Sequence, residues 1–175
     1  MATVLLPVTN VELPSSDWEI RNFKENKSFS EETMCFKATL VHLPTGVRCE
    51  ISNEGHGGSD LMFWDQRQKN VAEVEQMWKQ FVKDCQPALR LSVADDPNEW
   101  VRNLYSGDYI SEESVVGLFT TELSNQKMLS RKRGTVVRKN ADDKDFLIYK
   151  HTPEVLMGRV QGEYWNKAEK NWSSL

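Results

Sequence analysis

The sequence predicts an α+β fold, a small antiparallel sheet built from two hairpins and packed against three to four helices. Residues 34–42 alternate between two faces, and a turn separates them from a second alternating run over 47–52. A further pair of strand-like runs, 135–139 and 146–150, brackets the polar stretch 140–144. Between and beyond these hairpins, apolar residues recur at helical spacing behind cap-like residues.

In chain order, the two prolines before Ser16 suggest an arm or covering strand, and Trp18, Ile20 and Phe23 form a first alternating segment. In the next run Met34, Phe36, Ala38 and Leu40 share one face. Pro44 and Gly46 suit the turn that follows. Pairing His42 with Val47 sets Leu40 against Cys49 and Ala38 against Ile51, so the apolar faces coincide. This register also argues against a Cys35–Cys49 disulfide.

After the glycine-dense loop Ser52–Asp60, Leu61-Met62-Phe63-Trp64 is a third strand or a plug over the core. Asn70 and Glu73 resemble a capping box for a helix carrying Val71, Val74, Met77 or Trp78, Phe81, Val82 and Cys85 as far as Pro87. Asp96-Pro97-Asn98-Glu99 opens a short helix with Trp100, Val101, Leu104 and Tyr105, and Ser111-Glu112-Glu113 opens another with Val115, Val116, Phe119 and Leu123 inward. Thr152-Pro153-Glu154 starts a C-terminal helix presenting Val155, Leu156, Val160 and Tyr164.

A length of 175 residues fits a single domain, 1–175, with an N-terminal arm over 1–16 and a polar tail over 166–175. With 39% hydrophobic residues the chain should fold by itself, and its net charge of −4 suits neither a protein that coats nucleic acid nor a DNA mimic. Cys35, Cys49 and Cys85 lack CxxC spacing and read as reduced thiols. The opening segment has no basic stretch and its apolar run stops at Pro7, which predicts neither a signal peptide nor a membrane span. The expected location is cytoplasmic, the host cytoplasm if the chain is phage-encoded.

Four groups of residues are candidate sites. In the loop, Asn53, Gly55, His56, Gly57 and Gly58 offer backbone amides that can converge on phosphate. The pattern is neither GxGxxG nor GxxxxGK[ST], so a tight connection over a sheet end explains the glycines as well. His56 beside Asp60 suggests a base with an orienting acid, or simply a loop hydrogen bond. Lys127, Arg131, Lys132, Arg133, Arg138 and Lys139 can grip phosphates, or complement the end of a helix. Of six tryptophans, Trp64, Trp165 and Trp172 lie in the least periodic surroundings and suit a partner-binding patch. The three histidines have no metal-ligand spacing, and no cofactor is expected.

The order of hairpin, Ser52-Asn53-x-Gly55-x-Gly57-Gly58, helix, Lys132-Arg133-Gly134-Thr135 and Thr152-Pro153-Glu154-Val155 resembles a loose group of short uncharacterised proteins of bacteria and their phages. The match spans residues 34–165. Similar proteins carry a large polar or aromatic residue soon after the glycines, where this chain has Asp60 and an apolar run. The resemblance implies a setting, in which small acidic proteins bind and block a host protein such as a defence nuclease. The resulting expectation is a non-enzymatic inhibitor or modulator of a host protein. Its alternative is a nucleotide or nucleic-acid module combining the glycine loop with the basic hairpin.

Overall fold

The computed structural model describes residues 2–94, 102, 111–140 and 145–175. The fold is α+β with antiparallel sheets, but among the described residues the single sheet of two hairpins is replaced by three sheets. Strands β1 (Thr3–Leu6) and β2 (Val11–Pro14) form a two-stranded sheet. β3 (Trp18–Glu25), β4 (Phe36–His42), β5 (Arg48–Asn53) and β6 (Leu61–Trp64) form a sheet in that order. β7 (Thr135–Arg138), β8 (Leu147–Tyr149), β9 (Glu163–Asn166) and β10 (Asn171–Ser174) form the third, in the order β10-β9-β7-β8. Three helices lie among the described residues: α1 (Val71–Ser92), α2 (Glu112–Arg131) and the single turn α3 (Pro153–Leu156). The helix expected over 97–105 lies outside the described residues but for Arg102, and so do positions 141–144 of the second hairpin's turn.

The chain separates into two compact units, residues 1–4 with 12–120 and residues 5–11 with 121–175. In the first, β4 and β5 pair in the expected register, Leu40 against Cys49 and Ala38 against Ile51, and the His42 amide donates to Val47 O at 3.0 Å. One face of this sheet and the stripe Val71, Val74, Trp78, Phe81, Val82, Cys85 and Leu89 of α1 are buried. Trp18 meets Trp78 edge to face at 5.1 Å and Trp64 at 6.3 Å, and the Trp78 indole donates to Glu112 Oε2 at 3.0 Å. Of the two expected alternatives, Trp78 is the inward residue and Met77 is exposed.

Two expectations about α1 are corrected. Asn70 sits in the left-handed region at φ 60° and its side chain caps nothing, because a capping side chain needs an extended residue at that position. The helix also passes through Pro87 to Ser92. An interior proline costs about 3 kcal/mol in an isolated helix. Here Pro87 faces solvent, where water can take the carbonyl it leaves unbonded, and the buried Leu89 holds the following turn in place.

In the second unit, β7 and β8 pair as expected, Val136 against Ile148. The C-terminal helix does not form beyond Leu156. Gly162 takes φ 142° and passes so close to Arg138 O that a Cβ would lie 2.2 Å away, which lets the chain enter β9 beside β7. Tyr164 is therefore a strand residue, and the expected polar tail contains β10. Leu129, Val136 and Trp165 form the core of this unit, with Val8, Met128, Phe146 and Trp172 packed on it.

Glu122 is buried on α2, and its carboxylate accepts the amides of Val8 at 3.0 Å and Thr9 at 2.7 Å and the Gln126 side chain at 2.9 Å. Removing the acceptor orphans two backbone donors, each costing about 1–3 kcal/mol. Glu122→Ala should therefore lower unfolding stability by about 2–4 kcal/mol, and Glu122→Gln by less, as read from urea midpoints.

Candidate functional site

The glycine loop connects β5 to β6, and its organising group is the buried amide of Asn53 at the end of β5. Asn53 Oδ1 accepts Thr33 Oγ1 and the Gly55 amide, both at 2.8 Å. Asn53 Nδ2 donates to Gly58 O and to Asp60 Oδ1, both at 3.0 Å. Both ends of the amide are thus committed, to the loop and to Thr33 on the segment opposite it.

A cradle of successive amides does exist, on the opposite segment. The N–H groups of Glu31 and Glu32 at 3.0 Å and Thr33 at 3.4 Å converge on Gly55 O, so the nest holds the loop's own carbonyl. Gly55, at φ 89°, leaves no space for a side chain, since a Cβ would lie 1.9 Å from Phe29 O. At Gly57 a Cβ would meet the Glu32 carboxylate, whereas nothing lies within 4 Å of one at Gly58. The Gly55 amide is spent on Asn53, so it is not free to receive an anion.

His56 and Asp60 are not brought together as base and acid. His56 Nδ1 lies 3.3 Å from Glu31 Oε2 on the exposed side, while Asp60 turns inward to Asn53. Burial pushes the Asp60 carboxyl up, the Asn53 hydrogen bond opposes this, and Glu113 adds to it. Its charged form consequently opposes folding above the raised folded-state value, and that cost is relieved as pH falls through it. Burial likewise pushes the thiols of Cys49 and Cys85 up to about 12, which leaves them almost wholly protonated at neutral pH.

The basic group divides. Lys127, Arg131, Arg133 and Lys139 are exposed and Lys132 is half-buried, its carbonyl accepting Lys167 Nζ at 2.6 Å. Arg138 leaves the group, since it is buried, bound to Glu163 Oε2 at 2.8 Å, with its guanidinium 4.3 Å from the centre of the Trp172 ring. The expected tryptophan patch is also corrected. Trp64 faces the first unit's core opposite Cys49, and Trp165 is buried against Leu129 and Val136 with its indole donating to Ser130 Oγ at 3.3 Å. Trp172 is half-buried against Trp165, ring centres 5.4 Å apart.

The exposed apolar residues lie elsewhere. Leu61 and Phe63 on β6 are 58% and 64% exposed, and Leu147 and Ile148 on β8 are 63% and 47% exposed. Their signal in the sequence was an apolar run on a strand at the edge of its sheet, and a sequence alone does not say which strand is the edge. Among the described residues, no group of three or more His, Cys, Asp or Glu is placed to hold a metal ion, and no helix is long and apolar enough to cross a membrane.

If the glycines serve this clamp, Gly55→Ala should destabilise the chain by more than about 2 kcal/mol, and Gly58→Ala by no more than about 0.5 kcal/mol, in chemical denaturation. Equal effects would contradict the clamp. No protein-family model matches the chain, and neither a curated protein nor a solved structure matches it.

Proposed function

We propose that the chain is a non-enzymatic binding protein that blocks or modulates a host protein, in the manner of small phage and mobile-element inhibitors. The supporting observation is the edge strand β8, which carries the exposed Leu147 and Ile148 on the more basic of the two units. Residues 121–175 hold eleven Lys and Arg against seven Asp and Glu, while residues 1–120 hold eleven against nineteen. Leu147 and Ile148 are consecutive and point to opposite faces of β8, so an extended segment of a protein partner laid along this edge covers both, its acids meeting the exposed Lys139 and Lys150. The candidate loop and Arg138 are engaged in internal bonds, which favours recognition by surface over chemistry at either. The phage setting rests on the resemblance of residues 34–165 alone.

The chain should retain a stoichiometric partner from a bacterial lysate, and Leu147→Asp with Ile148→Asp should lose at least about 90% of it while keeping the wild-type unfolding midpoint. A partner held equally by the variant, or none held by either, would sink this reading.

The same charge separation favours a second reading, in which the exposed Arg131, Arg133 and Lys139 bind nucleic-acid or nucleotide phosphates. Binding to a single-stranded oligonucleotide would then fall steeply with salt, and Lys139→Glu would weaken it while Leu147→Asp would not. An oligonucleotide left unbound at low salt excludes it.

A further inference from the structure

The basic residues that adjoin one another in the sequence are parted by β7. Arg131, Lys132 and Arg133 precede the strand and Lys139 follows it. Arg133 and Lys139 are thereby about 15–20 Å apart along a largely extended chain. Charges in water are screened over about 10 Å at 0.1 M salt, so the two groups act separately.

Other cations join the leading group. β7 pairs with both β8 and β9, in registers that set the start of β7 beside the end of β8 and the end of β9. The residue after β8 is Lys150, and the turn from β9 to β10 is Lys167-Ala168-Glu169-Lys170. Direct contacts tie the three turns together. Lys167 Nζ donates to Lys132 O and Thr135 Oγ1 to His151 O, both at 2.6 Å, and Gly134 passes so close to Tyr149 O that a Cβ would lie 2.2 Å away. One end of the sheet thus collects Arg131, Lys132, Arg133, Lys150, Lys167 and Lys170. The acids in and next to these turns are Glu169 and Glu154, of which Glu154 is bonded to the Thr152 side chain, so a cationic excess remains.

Arg131, Arg133 and Lys150 are exposed, and among the described residues none of them has an ion pair. Lys167 spends one of its ammonium donors on the end of α2 and keeps the others. Complementing the helix end accounts for that lysine, but not for Lys150 on a separate turn. The turns 131–134, 150–151 and 167–170 contain no large apolar residue. A protein interface is built on a more apolar centre, whereas a nucleic-acid backbone is held by cations alone. At the opposite end Lys139 stands among acids: the β7–β8 register, continued past Val137, sets it against Asp145, and Glu163 holds the neighbouring Arg138.

We propose that this end of the third sheet is a binding site for the phosphodiester backbone of nucleic acid, with Arg131, Arg133, Lys150 and Lys167 holding its phosphates. This rests on the nucleic-acid reading and deepens it, since Lys150 and Lys167 take the place of Lys139.

The test is the anisotropy of a labelled single-stranded oligonucleotide, with poly-glutamate as competitor. Each phosphate contact on a single strand contributes about −0.7 to the slope of log K against log salt, so contacts from these four residues give about −2.8, and loss of one weakens binding about fivefold at 0.1 M salt. Arg133→Gln and Lys150→Gln should each weaken binding about fivefold, and together about 25-fold, with unfolding midpoints unchanged. Lys139→Gln removes the same charge at the opposite end and should change binding by less than about twofold. Poly-glutamate at matched charge should leave the oligonucleotide bound. A Lys139→Gln effect equal to that of Arg133→Gln would overturn this site and leave the nucleic-acid reading standing. An oligonucleotide left unbound at low salt would remove both, and displacement by poly-glutamate would assign the patch to an acidic protein instead.

Discussion

The register of β4 against β5 is the constraint on which the rest of the first unit depends. A slip by one residue would turn Cys49 and Ile51 to the outer face and remove the surface that is buried with the stripe of α1. The same slip would turn Asn53 outward. Its amide would then lose Thr33, Gly55, Gly58 and Asp60 together, and the loop between β5 and β6 would lose its internal support. Because β6 takes its register from β5, the exposure of Leu61 and Phe63 is set by the same alternation that buries the core.

Each unit contains a polar group that would oppose folding if left without partners. Asn53 has four hydrogen bonds within the first unit, and Glu122 has the Val8 and Thr9 amides and Gln126 in the second. Arg138 is a third, neutralised by Glu163 and lying over the Trp172 ring. Hydrogen bonds of this sort contribute only about 0.5–1.5 kcal/mol each, but an orphaned buried donor or acceptor costs more. Their effect is thus to penalise alternative arrangements, in which several such groups would be buried unpaired.

The legible part of the fold was the part decided by local pattern. The β4–β5 register followed from matching two alternations across a known turn, and the α1 stripe followed from its spacing. The C-terminal strands were missed because Thr152-Pro153-Glu154 does start a helical turn, and only the backbone of Gly158 and Gly162 shows that the helix stops. Glu122 lies seven residues from both Val115 and Leu129, on one buried stripe, and that spacing was the available hint that this acid is inside. Its ligands, the Val8 and Thr9 amides, were out of reach of any local pattern. The candidate loop was located correctly as a junction, but a sequence cannot show which carbonyl or anion an amide nest will hold. Here that role fell to Gly55 O and the amides of residues 31–33.

The contact between Glu122 and the turn after β1 also sets a schedule. Val8 and Glu122 are 114 positions apart, and the second unit contains residues from both sides of the first. During synthesis at about 5–20 residues per second, the Val8 amide is made roughly 6–23 seconds before the carboxylate that will bind it. Over that interval β1 and β2 can already pair, but the Val8 and Thr9 amides in the turn between them must wait while the strands of the first unit are made. The second unit therefore cannot close in step with its own synthesis, and whatever keeps this short segment from pairing elsewhere determines how cleanly it folds.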